Sequence, residues 1–200
     1  MTILLTIALL AGGGWLVGSA GWIHAKAIVA QTLIEQAWAR NVAAGHAVER
    51  PWSWADTTPV ARLEFVRQRA SMVVLAGDSG RVLAFGPGHR TGTALPGASG
   101  NSVVAAHRDT HFKVLQRVGI GDPIRVEDVA GRVTVYRVDR LDIVDEHDTA
   151  VLTQAGADRL TLVTCWPFDA LTPRGPDRYV VVASRLSPPM AAATNIARSD

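Results

Sequence analysis

The sequence predicts a mostly β protein: a closed eight-stranded barrel with one or two short helices, preceded by an N-terminal transmembrane helix. Three observations carry that expectation. From about Pro59 the chain breaks into short β-branched runs separated by Gly, Pro and Asp, the texture of a barrel rather than of alternating βαβ units. Ahead of them, Ile3–Ile23 is a 21-residue stretch without a charge, long enough to cross a bilayer as a helix. Finally, 200 residues at 48% hydrophobic content suffice for one core plus a non-globular end.

Taken in order, the first element is the apolar run. Gly18 and Ala20 would suit a signal peptidase, but no Lys or Arg precedes the run and it exceeds a usual signal core. Residues 1–24 are therefore read as an uncleaved anchor. Lys26, just past the run, gives no positive-inside argument for exporting the C-terminal domain. Residues 25–58 read as a helical stalk and linker. Val29, Leu33 and Ala37 recur at i, i+4, and Ile34 and Trp38 make a second such row, so one helix face packs on the domain or on the bilayer surface. Gly45 and Pro51 break the helix. The aromatics of Pro51-Trp52-Ser53-Trp54 suit either the lipid headgroup level or a cap on the domain.

Residues 59–187 form the expected barrel. Its candidate strands are Ala61–Val66, Ser71–Ala76, Val82–Ala84, Ser102–Ala106, Pro123–Val126, Val133–Val138, Leu160–Thr164 and Arg178–Ala183. One helical patch covers His111–Val118, and Asp78-Ser79-Gly80 reads as a hairpin turn. Residues 188–200, opening on Pro188-Pro189, read as a flexible tail.

Charge excludes one class of function. The chain carries 20 basic and 18 acidic residues, only two of them lysines (Lys26 and Lys113), and no basic block. A nucleic-acid surface is not expected. One cysteine and scattered histidines also lack zinc-ligand spacing.

That cysteine, Cys165, ends the apolar run Thr161-Leu162-Val163-Thr164. With no second thiol it has no intramolecular disulfide partner, so it is either an inert buried residue or a reactive one. A thiol enzyme needs a thiolate nucleophile, a general acid for the leaving amine, and a permanently protonated donor for the oxyanion. The sequence offers each at a strand end: Cys165 after Leu160–Thr164, His107 after Ser102–Ala106, and Arg178 ahead of Tyr179–Ala183. Strand ends beside loops hold side chains exposed yet firm. The other histidines (His24, His46, His89, His111, His147) are read as surface or core residues. Arg174 competes with Arg178 but lies in a Pro/Gly-rich stretch.

These segments carry a family resemblance. Thr161 to Cys165 fits the TLxTC signature of sortases, the membrane-anchored cysteine transpeptidases. Val103-Val104-Ala105-Ala106-His107-Arg108-Asp109-Thr110 resembles the sortase histidine segment, and Pro176-Asp177-Arg178-Tyr179-Val180-Val181-Val182 the final strand with the family's arginine. The spacings, 58 residues from His107 to Cys165 and 13 more to Arg178, suit the family, and the likeness spans about Pro59 to Arg185. Trp166-Pro167-Phe168 and Pro51-Trp52-Ser53-Trp54-Ala55-Asp56 look like the proteobacterial branch. The resemblance implies a sortase-like barrel that cleaves a C-terminal sorting signal through a Cys165 thioester and transfers the acyl group to an amine. In that reading His107 is the general acid/base, Arg178 binds substrate and oxyanion, and Thr164 shapes the pocket. The implied partners are a substrate protein with a sorting signal, an amine acceptor and the membrane. The implied location is the cytoplasmic membrane, with the domain on the extracytoplasmic, periplasmic side.

Other readings are weaker. Gly77-Asp78-Ser79-Gly80 echoes serine proteases, but Ser79 precedes the histidine, the reverse of the chymotrypsin-type order. His107-Arg108-Asp109 echoes a kinase catalytic loop without the asparagine or the phosphate loop. An L,D-transpeptidase cysteine follows Ser-x-Gly, which Thr161–Thr164 does not supply. A tethered binding barrel with an incidental cysteine is the non-enzymatic alternative. No cofactor is expected. Some sortases bind calcium through a loop in the region of Asp142, Asp145, Glu146 and Asp148, but here that cluster is read as a solvated acidic loop.

Overall fold

The computed structural model describes residues 2–154, 156, 158–170 and 175–186. Before Lys26 it describes the backbone and the side chains at 10, 12, 13 and 15. Arg174, the expected tail and nearly all side chains of Ile3–Ile23 lie outside those residues. Among the described residues, no helix is long and apolar enough to cross a membrane.

Helix α1 (Thr2–Ala44) runs unbroken from the first segment into the stalk. It ends as expected at Gly45, whose φ is 74°. Gly45 N–H donates to Val42 O and His46 N–H to Asn41 O, the two bonds of a Schellman ending, which favours glycine in the left-handed region. Of the two apolar rows on the stalk, Ile34–Trp38 is the one that packs. Ile34, Ala37 and Trp38 are buried, and Ile34 and Trp38 meet Val73, Leu75 and Val82. Of the other row, Val29 is 57% exposed and Leu33 half-buried, and only its last member, Ala37, reaches the packed face.

Asn41 is fully buried and uses both ends of its amide. Its Nδ2 donates to Glu49 O and Pro59 O, while Oδ1 accepts from Val48 N and Glu49 N. One side chain thereby joins stalk, linker and first strand. Trp52 meets Phe85 edge-on at 5.0 Å and so caps the domain; Trp54 is 82% exposed and does not.

The barrel strands are β1 (Pro59–Phe65), β2 (Ala70–Ala76), β3 (Gly88–His89), β4 (Asn101–Ala105), β5 (Pro123–Asp128), β6 (Val133–Asp145), β7 (Arg159–Cys165) and β8 (Asp177–Arg185). They close in the order β1-β2-β3-β4-β7-β8-β6-β5. Alternation along each strand sends one set of side chains inward. Leu63, Phe65, Val104, Ile124, Tyr136, Leu160, Leu162 and Val181 meet in the core with Phe112 and Leu115.

The expected strand at Val82–Ala84 is instead helix α2 (Gly80–Leu83), and the hairpin turn expected at Asp78–Gly80 is its start. Ser79 caps the helix, its hydroxyl accepting from Val82 N. The physical reason is topology. β2 and β3 are parallel, and parallel neighbours need a crossover, which a hairpin cannot supply. The missing strand is β3, where Gly88 is obligatory because a Cβ there would lie 2.3 Å from Gly77 O. β6 runs seven residues beyond its expected end at Val138, past an irregularity between Val138 and Arg140. The patch at His111–Arg117 is a 3₁₀ helix.

Asp122 pins the β1–β2 turn to the start of β5. It is buried and accepts from Gly119 N, Gln68 Nε2 and Arg67 Nη1. Burial alone would raise its pKa; the bonds from Gly119, Gln68 and Arg67 together outweigh that and hold the carboxyl below its ordinary value. A depressed carboxylate adds stability above its unfolded pKa, lost as pH falls through the folded one. The melting temperature should therefore drop as pH falls below the ordinary value of 3.8. In Asp122→Asn it should be lower at pH 7 and show less of that acid drop, which a melting series from pH 7 to pH 2 checks.

Candidate active site

Strand register assembles the site. β4 and β7 are parallel with Ala105 opposite Val163, so His107 and Cys165 each lie two residues past a matched pair. Two bonds hold the chains together at that level: Ala106 N–H donates to Val163 O, and Thr164 Oγ1 donates to Ala106 O at 2.7 Å. Across the antiparallel β7–β8 pair, Cys165 stands opposite Arg178.

Alternation fixes which way these residues face. Leu160 and Leu162, and Val181 and Ala183, belong to the barrel core; Cys165 and Arg178 have the opposite parity and project from the outer face. Val104 and Ala106 point into the core, which puts His107 on the outer side as well. His107 is exposed, and Cys165 and Arg178 are half-buried. The structure thus brings the three sequence-predicted residues to one end of the β4–β7–β8 surface. Thr164, expected to shape the pocket, is buried on the inner side. It acts on the site by tying the ends of β4 and β7, not as a wall.

A groove of about 270 Å³ runs along this outer face. Its floor is Val103, Ala105 and Val163. Asp78 and Arg90, joined by an ion pair of 2.6 Å, line one side, Glu146 to Leu152 another, and Arg178 its end. Apolar floor and charged margins suit an extended peptide.

The expected acidic loop is distributed over different partners. Asp142 pairs with Arg140, Asp145 accepts from His147 N, and Asp148 caps a 3₁₀ helix at Thr149–Leu152. Glu146 accepts from Arg178 Nη2 at 2.6 Å, and Arg178 Nη1 also donates to Gly175 O and Asp177 O. The guanidinium is thereby held in one orientation, with Nε donating no hydrogen bond among the described residues.

Sequence reasoning missed Arg108. Its side chain is 3% exposed, and Nη2 donates to Ala170 O, linking the His107 turn to the loop after Cys165. The signal was present as an arginine next to the candidate histidine, passed over as a kinase echo. On the other side of that turn His111 is held below its ordinary pKa, first by burial and then by the charge of His107, which keeps it neutral near pH 7. After Cys165, Trp166 stacks on Tyr179 at 5.6 Å, and Phe168 meets Tyr179 edge-on at 5.2 Å; Phe168 and Tyr179 pack against the barrel core.

The chain is similar to known proteins. A family model for the sortase domain matches residues 64–186. Sortase D of Bacillus subtilis (strain 168) is 31% identical over 126 residues, covering 62% of this chain and 63% of that protein. The chain thus matches less than two thirds of that relative's length. Among solved structures, a Clostridium perfringens Sortase D5 transpeptidase is similar at 29% identity and a TM-score of 0.56, over 64% of this chain and 79% of the other. Sortase C-1 from Actinomyces oris is similar at 30% identity and a TM-score of 0.58, over 64% and 75%. Sortase A from Corynebacterium diphtheriae, at 24% identity and a TM-score of 0.60 over 81% and 86%, shares the fold.

Proposed function

This chain belongs to the sortase family, and on that premise we propose that it is a cysteine transpeptidase acting on a C-terminal sorting signal. The observation that carries the reading is the common level of His107, Cys165 and Arg178 at one end of the β4–β7–β8 surface, on the outer face along which the groove lined by Val163 and Arg178 runs. The Cys165 thiolate attacks the carbonyl of a peptide bond laid in the groove. Arg178 donates hydrogen bonds to the oxyanion that forms, its fork pre-oriented by Glu146. As the tetrahedral species collapses, the C–N bond breaks and His107 protonates the departing amine, leaving a thioester on Cys165. An incoming amine then attacks the thioester, His107 takes its proton, and the C–S bond breaks to form a new amide and return the Cys165 thiolate and the protonated His107.

In the same reading Ile3–Ile23 spans the cytoplasmic membrane and the barrel lies on the periplasmic side. Support comes from the charge-free run and from α1 continuing helically through it to Ala44. Membership of the proteobacterial branch rests on Trp166-Pro167-Phe168 and the Pro51–Asp56 segment. Calcium has no part in the proposed reaction.

The test is to trap the intermediate. The detergent-solubilised chain is incubated with candidate sorting peptides, and Cys165 is probed by mass spectrometry. An acyl adduct on Cys165 with release of the peptide's C-terminal fragment is expected. Cleavage without any dependence on Cys165, or no adduct with any sorting peptide, would count against the reading. A second expectation concerns Glu146. Losing a charged hydrogen bond of about 1.5–3 kcal/mol from Arg178 should lower kcat/KM about tenfold in Glu146→Ala. Glu146→Gln, which keeps an acceptor, should lose less. A faster Glu146→Ala enzyme would mean that Glu146 restrains Arg178 instead of orienting it.

A further inference from the structure

A second cavity, of about 800 Å³ and sharing no lining residue with the groove, lies on the α1 side of the barrel between α1, the linker at Trp52–Asp56 and the α2 segment at Arg81–Phe85. Its walls are apolar: Val29, Ala30 and Leu33 of α1, with Trp52 and Phe85. Two cations, Lys26 and Arg81, and one carboxylate, Asp56, also line it, leaving an excess of positive charge. Lys26 already has contacts within the chain, and Arg81 is exposed. Beside the cavity, Trp54 is 82% and Ile28 68% exposed, large apolar groups that water does not favour.

Its place along α1 says what covers it. Lys26 lies three residues past Ile23, about 4.5 Å of helix at 1.5 Å per residue. The headgroup layer extends roughly 5–8 Å beyond each face of a bilayer's hydrocarbon core. The cavity therefore begins at headgroup level, where tryptophan is favoured and cations meet anionic lipid.

We propose that this cavity is a binding site for an anionic phospholipid. The phosphate sits between Lys26 and Arg81, and an acyl chain lies against Val29, Leu33, Trp52 and Phe85. The inference rests on the anchored reading above. It adds that the α1 side of the barrel is seated on the bilayer, not held clear of it.

The experiment places the full chain in vesicles carrying phosphatidylglycerol with a photoreactive acyl chain, or the same acyl probe on phosphatidylcholine, and maps cross-links by mass spectrometry. Expected with phosphatidylglycerol are cross-links within residues 1–25 and also within 29–33, 52–56 and 81–85. The cavity set should exceed the phosphatidylcholine result by about fivefold, the effect of one surface cation on anionic lipid. Arg81→Glu, an exposed position whose folding a melting curve verifies, should remove most cavity labelling and leave residues 1–25 labelled as before. Labelling confined to residues 1–25 would overturn the lipid site while leaving the anchor standing. Equal cavity labelling by both probes would overturn it too, as would a dimer cross-linked through Lys26 in place of cavity labelling. No labelling anywhere would sink both the site and the anchored reading.

Discussion

Cys165→Ala should abolish formation of the acyl adduct and reduce peptide cleavage by about 10⁴-fold or more, the scale expected when a covalent nucleophile is removed. Fold and stability should barely change. The thiol projects from the outer face, whereas the inward neighbours Leu162 and Thr164, which hold β7 in place, are untouched. A stability change within about 0.5 kcal/mol is therefore expected. The two measurements belong together: an inactive variant with an unchanged melting curve assigns the loss to chemistry. A variant that still cleaved sorting peptides would refute the thioester mechanism and favour the tethered binding barrel.

Phe112→Ala should have the largest effect on stability, and an effect on activity beyond it. Phe112 is fully buried in the barrel core, and truncating such a side chain costs about 3–5 kcal/mol, a large share of the stability of an ordinary domain. The melting temperature should fall by roughly 10 °C. Phe112 N–H also donates to His107 O at 3.1 Å, so the ring anchors the turn on which the histidine stands. Peptide cleavage should fall even at temperatures where the variant remains folded, while alkylation of Cys165 by a small reagent continues. Full cleavage in the folded variant would show that the turn holds His107 without the ring.

The candidate residues stood out because each sits at the end of an apolar run, where period-2 alternation and motif spacing coincide. That coincidence singled out Cys165, His107 and Arg178, and strand register brings them to one end of the β4–β7–β8 surface. What escaped was of another kind. Val82–Ala84 has strand-like residues, but the parallel neighbours on either side of it demand a crossover, a fact of topology absent from the local pattern. β3 is two residues long, below any periodic signal. The second half of β6 has no buried residue and carries three aspartates, so it lacks the signal of a core strand; its pairing with β8 makes it one. Asn41, Arg108 and Glu146 act through partners up to 62 residues away, and no propensity encodes such contacts. The Ile34–Trp38 and Val29–Leu33 rows were both visible, but which of them faces the barrel depends on the barrel's shape.

The parallel pairing of β4 with β7 also has a consequence for the order of events during folding. His107 and Cys165 are 58 residues apart in the chain and become neighbours only when those two strands join, which requires the intervening β5 and β6 to be placed elsewhere in the closed order. Contacts of such separation form late. A nascent or partly folded chain thus holds its thiol apart from His107, and under the proposed mechanism nucleophilic competence becomes a report on completed closure.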